Sequence, residues 1–349
     1  MIMLLSTHCL NSALSRVVCY LFCLLTPALL WAETAPQTTD TMSSPAEPPA
    51  AAGSCRDPDI GAADWWDRMH GYINENLCIP VAWFDGFFGD ERSEELSPVN
   101  TYFRWRTTVR WDELEGTELS TRFHADVKLP RASSQLRLLI SREDDLDDLI
   151  DQDDINDTDN SPSTQVGLRY TVLTQPQQRF TVSAGVHTGF PPDPFVRGRY
   201  RYVHPLGERT QFRVTETAYW EREDGFGLNN RLDWEWYYQP QTLIRWTGSA
   251  TVSEVSEGVD WSSALTAFHQ LDTRRALRWE AGINGHTEPD DDDAKIEEYY
   301  VNMRYRFNYF RSWLFFELQP EVAWPTDDYG NREFSMRFLT TLEIQFSRQ

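Results

Sequence analysis

Charged side chains at alternate positions are the feature of this sequence that could carry chemistry. Arg197, Arg199 and Arg201 stand two residues apart, and Asp233 and Glu235 repeat that spacing in a later segment. Because successive side chains of a β-strand point to opposite faces, each row lies on one face of its strand. Such a face must be wet or ion-paired. The sequence therefore predicts rows of arginines and carboxylates that line an inner surface.

The candidates for this inner surface come from several segments: Arg104, Arg106, Arg110, Arg197, Arg199, Arg201, Asp233, Glu235, Arg304, Arg306, Glu317 and Glu321. Arg304 and Arg306 are expected beside Glu317 and Glu321, because the two segments follow each other in the chain. Two arrangements remain open. The rows constrict a water-filled pore and bias it by charge, or they fill a closed interior with salt bridges.

Carboxylates are concentrated between Glu143 and Asn160, where ten residues are Asp or Glu. Carboxylate oxygens are ligands for Ca²⁺ and Mg²⁺, and the weak metal candidates are Asp151, Asp153, Asp154 and Asp157. The spacing does not match a calcium-binding EF-hand loop. We interpret the run as a solvated loop of mutually repelling charges, with a weak cation site as the alternative.

Histidine placement does not favour an enzyme. His124, which has Asp126 two residues on, and His187 lie in separate segments, and neither has an evident serine partner in the sequence. Nucleophilic or acid–base catalysis needs such partners within reach. No phosphate-binding loop, dinucleotide motif or zinc-site spacing is present, and we expect no cofactor.

Net charge and aromatic content narrow the class of protein. The formal net charge of −22 argues against a nucleic-acid partner, since phosphate binding needs a basic surface. Aromatic residues make up 13% of the chain, which suits side chains at a lipid–water interface. The mean hydropathy of −0.54 is compatible with membrane-spanning strands, because only every second side chain of such a strand faces lipid.

The N-terminal region begins with two segments outside any predicted barrel. Residues 1–32 are typical of a secretory signal, with Arg16 ahead of an apolar run and the small residue Ala32 at the expected cleavage site. Residues 33–54 are rich in Ala and Pro and predict a flexible linker.

Residues 55–97 are predicted to form a short helical and aromatic element. Cys55 and Cys78 form a disulfide, as an oxidising compartment favours, or remain two free thiols. Apolar residues at helical spacing predict a helix over 62–77. The aromatic cluster that follows comprises Trp83, Phe84, Phe87 and Phe88. The element either packs against the end of the following domain, or acts as a plug or as a docking site for another protein.

Polar and apolar residues alternate from Val99 onward, and the clearest case is the last segment, where Phe334, Phe338 and Phe346 share one apolar face. The predicted strands are 99–112, 117–129, 135–142, 164–174, 179–190, 195–204, 209–220, 227–238, 241–253, 258–270, 275–286, 296–307, 312–324 and 334–346. They predict an all-β domain over 98–346, a transmembrane antiparallel β-barrel of about 14 strands (12–16).

Connections between these segments are predicted to alternate in length. Short turns such as 175–178 and 239–240 alternate with longer acidic segments such as 143–163 and 289–295, as expected for short turns at the inner end and long outer loops. Aromatic residues near strand ends predict two girdles, an outer one of Trp111, Trp220, Trp261 and Trp324 and an inner one of Tyr238, Tyr309 and Trp313.

Over residues 98–346 the chain resembles the Gram-negative outer-membrane β-barrel class. The resemblance implies a location in the outer membrane, contact with lipid and lipopolysaccharide, and insertion by the barrel-assembly machinery, which in that class reads a final strand ending in an aromatic residue. Here Phe346 is followed by three further residues.

Three functions fit these features. The first is a passive channel or transport barrel for small polar solutes, indicated by the charged inner face. The second is a structural or assembly barrel whose N-terminal element binds a periplasmic protein. The third, less favoured, is a lipid-modifying enzyme that uses His124 or His187.

Overall fold

The computed structural model describes residues 87–88, 101–129, 135–141, 164–175, 177–188, 191–222, 225–256, 258–287, 295–311, 313–327 and 330–348. Several predictions fall on residues outside these ranges and stay predictions: the signal (1–32), the linker (33–54), the helix over 62–77, the Cys55–Cys78 disulfide, and the metal candidates Asp151, Asp153, Asp154 and Asp157.

One antiparallel sheet of fourteen strands makes up almost all of the described chain. Consecutive strands pair, and β1 also pairs with β14, which closes the sheet into a barrel. The strands are β1 Thr101–Asp112, β2 Gly116–Lys128, β3 Leu136–Ser141, β4 Thr164–Thr174, β5 Gln178–Thr188, β6 Asp193–Pro205, β7 Thr210–Glu221, β8 Gly225–Gln239, β9 Thr242–Ser253, β10 Val259–Asp272, β11 Arg275–Thr287, β12 Lys295–Arg311, β13 Leu314–Pro325 and β14 Ser335–Arg348. The predicted barrel fold and its strand number are confirmed.

Strand boundaries differ most from the prediction in β12. The sequence predicts its end at residue 307, but the strand continues to Arg311, with an irregular register between Phe307 and Arg311. The polar Asn308 suggested a turn, whereas in the barrel its backbone N–H donates to the carbonyl of Arg274 on the neighbouring connection.

Alternating side chains divide each strand between two environments. On β14, Met336 and Leu342 point outward and are exposed, whereas Arg337 and Glu343 are buried inside the barrel. The other strands show the same division, as with the exposed Trp105 of β1. An apolar outer surface around a charged interior is the arrangement of a membrane-spanning barrel, because charges cannot face lipid cheaply.

Aromatic side chains follow the two rims of the outer surface. Trp111, Trp220, Trp261 and Trp324 lie near one rim, and Tyr238 and Trp313 lie near the other. These positions agree with the predicted girdles. The side chain of Tyr309 lies outside the described part of the structure.

The connections follow the predicted alternation only in part. Both ends of the barrel chain, at Thr101 and Arg348, lie at one rim, which we call the inner rim, together with short turns such as 240–241. Connections at the outer rim range from the long segment 142–163 to a tight turn at 113–115. That turn ends at Gly116, whose φ of +92° is readily adopted only by glycine.

Phe87 and Phe88 represent the N-terminal element in the described structure, and both are helical. Their phenyl rings are buried against residues of the barrel. In the described ranges, no helix has both the length and the apolar character needed to cross a membrane.

Candidate functional site

The predicted charge rows lie on the lumen face of the barrel. Most of these side chains are buried there, including Arg104, Arg110 and Arg199, while Arg106 and Arg201 are partly accessible. Buried charges are stable only when paired and hydrogen-bonded. The lumen is therefore best described by its ion pairs, which fall into separate groups.

One group joins β12, β13, β14 and β1. Arg306 pairs with Glu317 on the neighbouring strand, and its Nη2 donates to Glu343 Oε1 at 2.7 Å. Arg106 Nε donates to Glu343 Oε2 at 3.3 Å. Arg306 and Glu343 are both 0% exposed, so the centre of this network is closed to solvent. The structure places Arg306 beside Glu317, as the chain order suggested.

A second group surrounds Arg337 in the outer half of the lumen. Its Nε donates to Asp112 Oδ2 at 2.7 Å, and its Nη2 donates to Glu298 Oε2 at 2.8 Å. Its Nη1 donates to Glu321 Oε1 at 3.2 Å. Asp112 also accepts the backbone N–H of Leu114 at 2.8 Å, so this group fixes the tight β1–β2 turn to the lumen wall.

The carboxylates of β8 are engaged by nearby strands. Glu235 accepts a hydrogen bond from Arg245 Nε at 2.8 Å. Asp233 accepts hydrogen bonds from Arg231 Nε at 3.3 Å and from Thr247 Oγ1 at 2.8 Å. Neutral and charged donors therefore share these two acceptors. On β12, Arg304 Nε likewise donates to a neutral acceptor, Gln319 Oε1, at 2.6 Å.

Arginines stand directly opposite arginines at four places on the described lumen face. These cross-strand pairs are Arg106–Arg122, Arg137–Arg169, Arg179–Arg201 and Arg278–Arg304. Like charges directly opposite each other destabilise a sheet, so a negatively charged group near each pair would stabilise it. Carboxylates of the chain take this role at some of the pairs, as where Arg137 Nη1 donates to Asp126 Oδ2 at 2.9 Å.

Arg122 differs from the other members of these pairs. It makes no hydrogen bond and no ion pair to any residue that the structure describes, and it lines a small recess in the lumen wall. The other lining residues are Arg106, Thr108, Ser120, Arg304, Glu317, Gln319, Leu339 and Thr341. Three guanidinium groups and one carboxylate therefore face this space.

A cluster of mainly aromatic side chains lies in the lumen near the inner rim. Phe87 packs edge-on against Phe315 with ring centroids 5.8 Å apart, and Phe88 lies 5.4 Å from Phe268. We call this group the inner aromatic cluster, and its members are Phe87, Phe88, Tyr237, Leu243, Phe268, Ala276 and Phe315. The described part of the N-terminal element thus packs inside the barrel on the side of β8–β13.

Guanidinium groups cover this cluster from the lumen side. Arg306 lies 4.2 Å from the Phe315 ring centroid and 5.9 Å from that of Phe87. Arg245 lies 5.1 Å from the Phe268 ring centroid. Because cations are attracted to aromatic faces, the ion-pair groups and the aromatic cluster form two contiguous layers.

His124 is buried in the lumen wall between two polar neighbours. The strand register places Arg104 on one side of it and Ser141 on the other. The sequence showed no serine partner, because Ser141 belongs to the next strand and only the β2–β3 register brings it near. Asp126, two residues on, accepts its hydrogen bond from Arg137.

His187 belongs to a group at the outer end of the lumen. Its Nδ1 lies 3.8 Å from Asp193 Oδ2, and His187, Asp193 and Glu221 present ligand atoms that are close enough to hold one metal ion. Arg197 Nη2, however, donates to Glu221 Oε1 at 3.1 Å. The Arg197 guanidinium therefore already neutralises the Glu221 carboxylate. The group of His187, Asp193 and Glu221 contains no serine that His187 could activate.

Several lumen residues were missing from the sequence candidates. Arg337, Glu343, Arg245 and Arg278 are as buried as those that were proposed. Residue parity could have found them, because Arg337 and Glu343 alternate with the apolar Met336 and Leu342 of the same strand. The position of Phe87 in the lumen has no comparable signal in the sequence.

Comparisons with known proteins do not assign the chain to a family. No protein-family model matches it, and no curated protein matches it. Solved structures that resemble it include a bacterial polysaccharide outer membrane secretin (9% identity, 70% of this chain and 98% of that chain, TM-score 0.43). The outer membrane channel DcaP of Acinetobacter baumannii (8% identity, 71% and 97%, TM-score 0.42) and OprB of Pseudomonas putida (12% identity, 76% and 98%, TM-score 0.42) also resemble it.

Proposed function

We propose that this protein is an outer-membrane channel for small polar solutes that prefers anions. The cross-strand arginine pairs of the lumen carry the proposal, because they concentrate positive charge where a solute would pass. Around Arg122 three guanidinium groups face the lumen recess and only one carboxylate, that of Glu317, lines it. A pore lined by Arg favours anions by electrostatic attraction.

The inner aromatic cluster forms the constriction of the proposed channel. Phe87 and Phe88 lie across the lumen side of β8–β13 at the inner rim. They narrow the path there, while the recess beside β1 and β2 remains open to water-sized groups. Movement of these two side chains would widen the inner opening without breaking the barrel.

A closed structural barrel is the second candidate function. The complete burial of Arg306 and Glu343 favours it, because a dry ion-pair network can fill an interior and leave no path. In that case the N-terminal element would serve to bind a periplasmic partner. For either function, contact with lipopolysaccharide and insertion by the barrel-assembly machinery are part of the proposal.

Ion flux into proteoliposomes separates the two candidates. Vesicles that contain the folded protein, loaded with a chloride-sensitive or a potassium-sensitive dye, are exposed to potassium chloride in the presence of a proton ionophore, which compensates the charge carried by either ion. The channel proposal predicts chloride entry faster than potassium entry. Absence of both fluxes in vesicles with folded protein supports the closed barrel, and faster potassium entry overturns the anion preference.

A further inference from the structure

Glu216 is an ionisable residue on the lipid-facing side of the barrel, in the middle of a strand. It lies on β7 and shares its face with Phe212, Val214 and Trp220. In the described strands, the other charged or imidazole side chains that point outward lie close to a strand end, as His204 does on β6. Glu216 therefore lies at a depth where no other acidic, basic or imidazole side chain of the described strands faces outward.

Polar neighbours surround Glu216 at the same depth. The register places Asn230 of β8 directly beside it and Tyr200 of β6 on its other side. Neither Glu216 nor Asn230 makes a hydrogen bond or an ion pair to any residue in the described part of the chain. Lipid acyl chains offer no donor or acceptor, so both side chains would be unsatisfied in contact with lipid.

Three small residues lie beside these side chains. Gly198 and Ala218 are paired in register next to Tyr200 and Glu216, and Ala250 of β9 is paired with Asn230. Small residues let two membrane-embedded backbones approach closely, which brings polar side chains of both within hydrogen-bonding distance. The patch thus combines close approach with polar groups that need a partner.

We propose that the β6–β8 face is the contact surface between two copies of this chain. Glu216 of one copy would accept a hydrogen bond from the Asn230 amide of the other, and the second Glu216–Asn230 pair would form in the same way. Glu216 and Asn230 are register partners and so lie at equal depth. A two-fold axis along the membrane normal preserves depth, so it exchanges the two partners without a vertical shift.

A second copy fits this surface better than lipid or an unrelated protein. The face carries one acceptor group and one donor group side by side, which makes it complementary to itself. Two barrels inserted with the same orientation bring these groups together at one level of the membrane. The contact needs no residue from the lumen, and it is independent of whether the lumen conducts.

The test compares association of the full-length chain with that of two variants. Glu216→Leu/Asn230→Leu removes both polar groups from the contact surface. Thr340→Leu/Thr107→Leu makes a matched change on the opposite, lipid-facing wall formed by β14 and β1. Mass is measured in a mild detergent for each folded barrel, and folding is verified by the gel shift between heated and unheated samples.

We expect a dimer for the wild type and the threonine variant, and a monomer for the Glu216/Asn230 variant. A photocrosslinking residue at Ala218 should join two copies, whereas one at Leu342 should not. A monomeric wild type, a dimer that survives Glu216→Leu/Asn230→Leu, or equal crosslinking from both positions would each overturn the proposal. If the polar variant does not fold, the crosslinks made in the wild-type background decide the question.

Discussion

Arg306 of β12 and Glu343 of β14 are joined by two parallel hydrogen bonds across the intervening strand. Arg306 Nη1 donates to Glu343 Oε2 at 3.0 Å, and Nη2 donates to Oε1 at 2.7 Å. Glu317 of the middle strand contacts the same guanidinium. One arginine thus holds carboxylates of two strands, which ties the closing strand β14 to β12 from inside the barrel.

Removing one member of this buried pair should destabilise the barrel strongly. Glu343→Gln leaves Arg306 buried without its forked partner, and breaking a buried ion pair in this way costs about 3–5 kcal/mol. The triple variant Arg306→Met/Glu317→Gln/Glu343→Leu should recover a large part of that loss, because none of the three charges then remains buried. Urea unfolding followed by tryptophan fluorescence measures both variants, and an equal loss in the single and triple variants would contradict this expectation.

Arginine introduced on the outer face should be costly in the middle of a strand and tolerated at its end. Leu342 faces outward at the centre of β14 and is 39% exposed, so Leu342→Arg should cost about 2–4 kcal/mol in a bilayer. Phe334→Arg, at the outer rim, should cost about 0–1 kcal/mol. Unfolding from liposomes gives both values, and equal values would show that β14 does not cross lipid.

Arg122 should contribute more to ion selectivity than to stability. Arg122→Ser removes positive charge from the lumen recess and also relieves the repulsion from Arg106 across the strands. We expect a lower chloride-to-potassium flux ratio and a stability within about 0.5 kcal/mol of the wild type. Arg209→Ser, in an exposed inner-rim turn, is the matched control and should leave the flux ratio unchanged. An unchanged flux ratio in Arg122→Ser would show that the recess does not lie on the path of the ions.

The barrel could be predicted from the sequence because polar and apolar residues alternate along each β-strand with a period of two. Charges cannot face lipid, so parity alone assigned Arg104, Arg197 and Glu317 to the lumen. Parity does not define which side chains pair, since pairing depends on register across strands. The Arg137–Asp126 contact joins residues of two strands and requires the β2–β3 register to be known.

Two features lay beyond such reasoning, one inside the barrel and one on its outer face. The helical spacing of the N-terminal element left open whether it packs outside the barrel or within it, since both fates need an apolar surface. The burial of Phe87 depends on Phe315 and Phe268, which are far away in sequence. The role proposed for Glu216 could not be predicted for another reason. A single charge in an apolar row can be interpreted only when its neighbours on β6 and β8 are known.

Single-channel current across a planar bilayer shows whether the lumen conducts and which ion it prefers. Full-length protein and Phe87→Ala/Phe88→Ala are compared under a potassium chloride gradient, with Phe103→Ala/Phe346→Ala, which changes outward-facing aromatics, as the control. If the lumen is an anion-selective pore that Phe87 and Phe88 narrow, we expect discrete current steps whose reversal potential lies toward the chloride equilibrium potential. The steps should be larger in the Phe87/Phe88 variant alone. Silence of all three folded proteins, or reversal toward the potassium potential, would contradict this expectation.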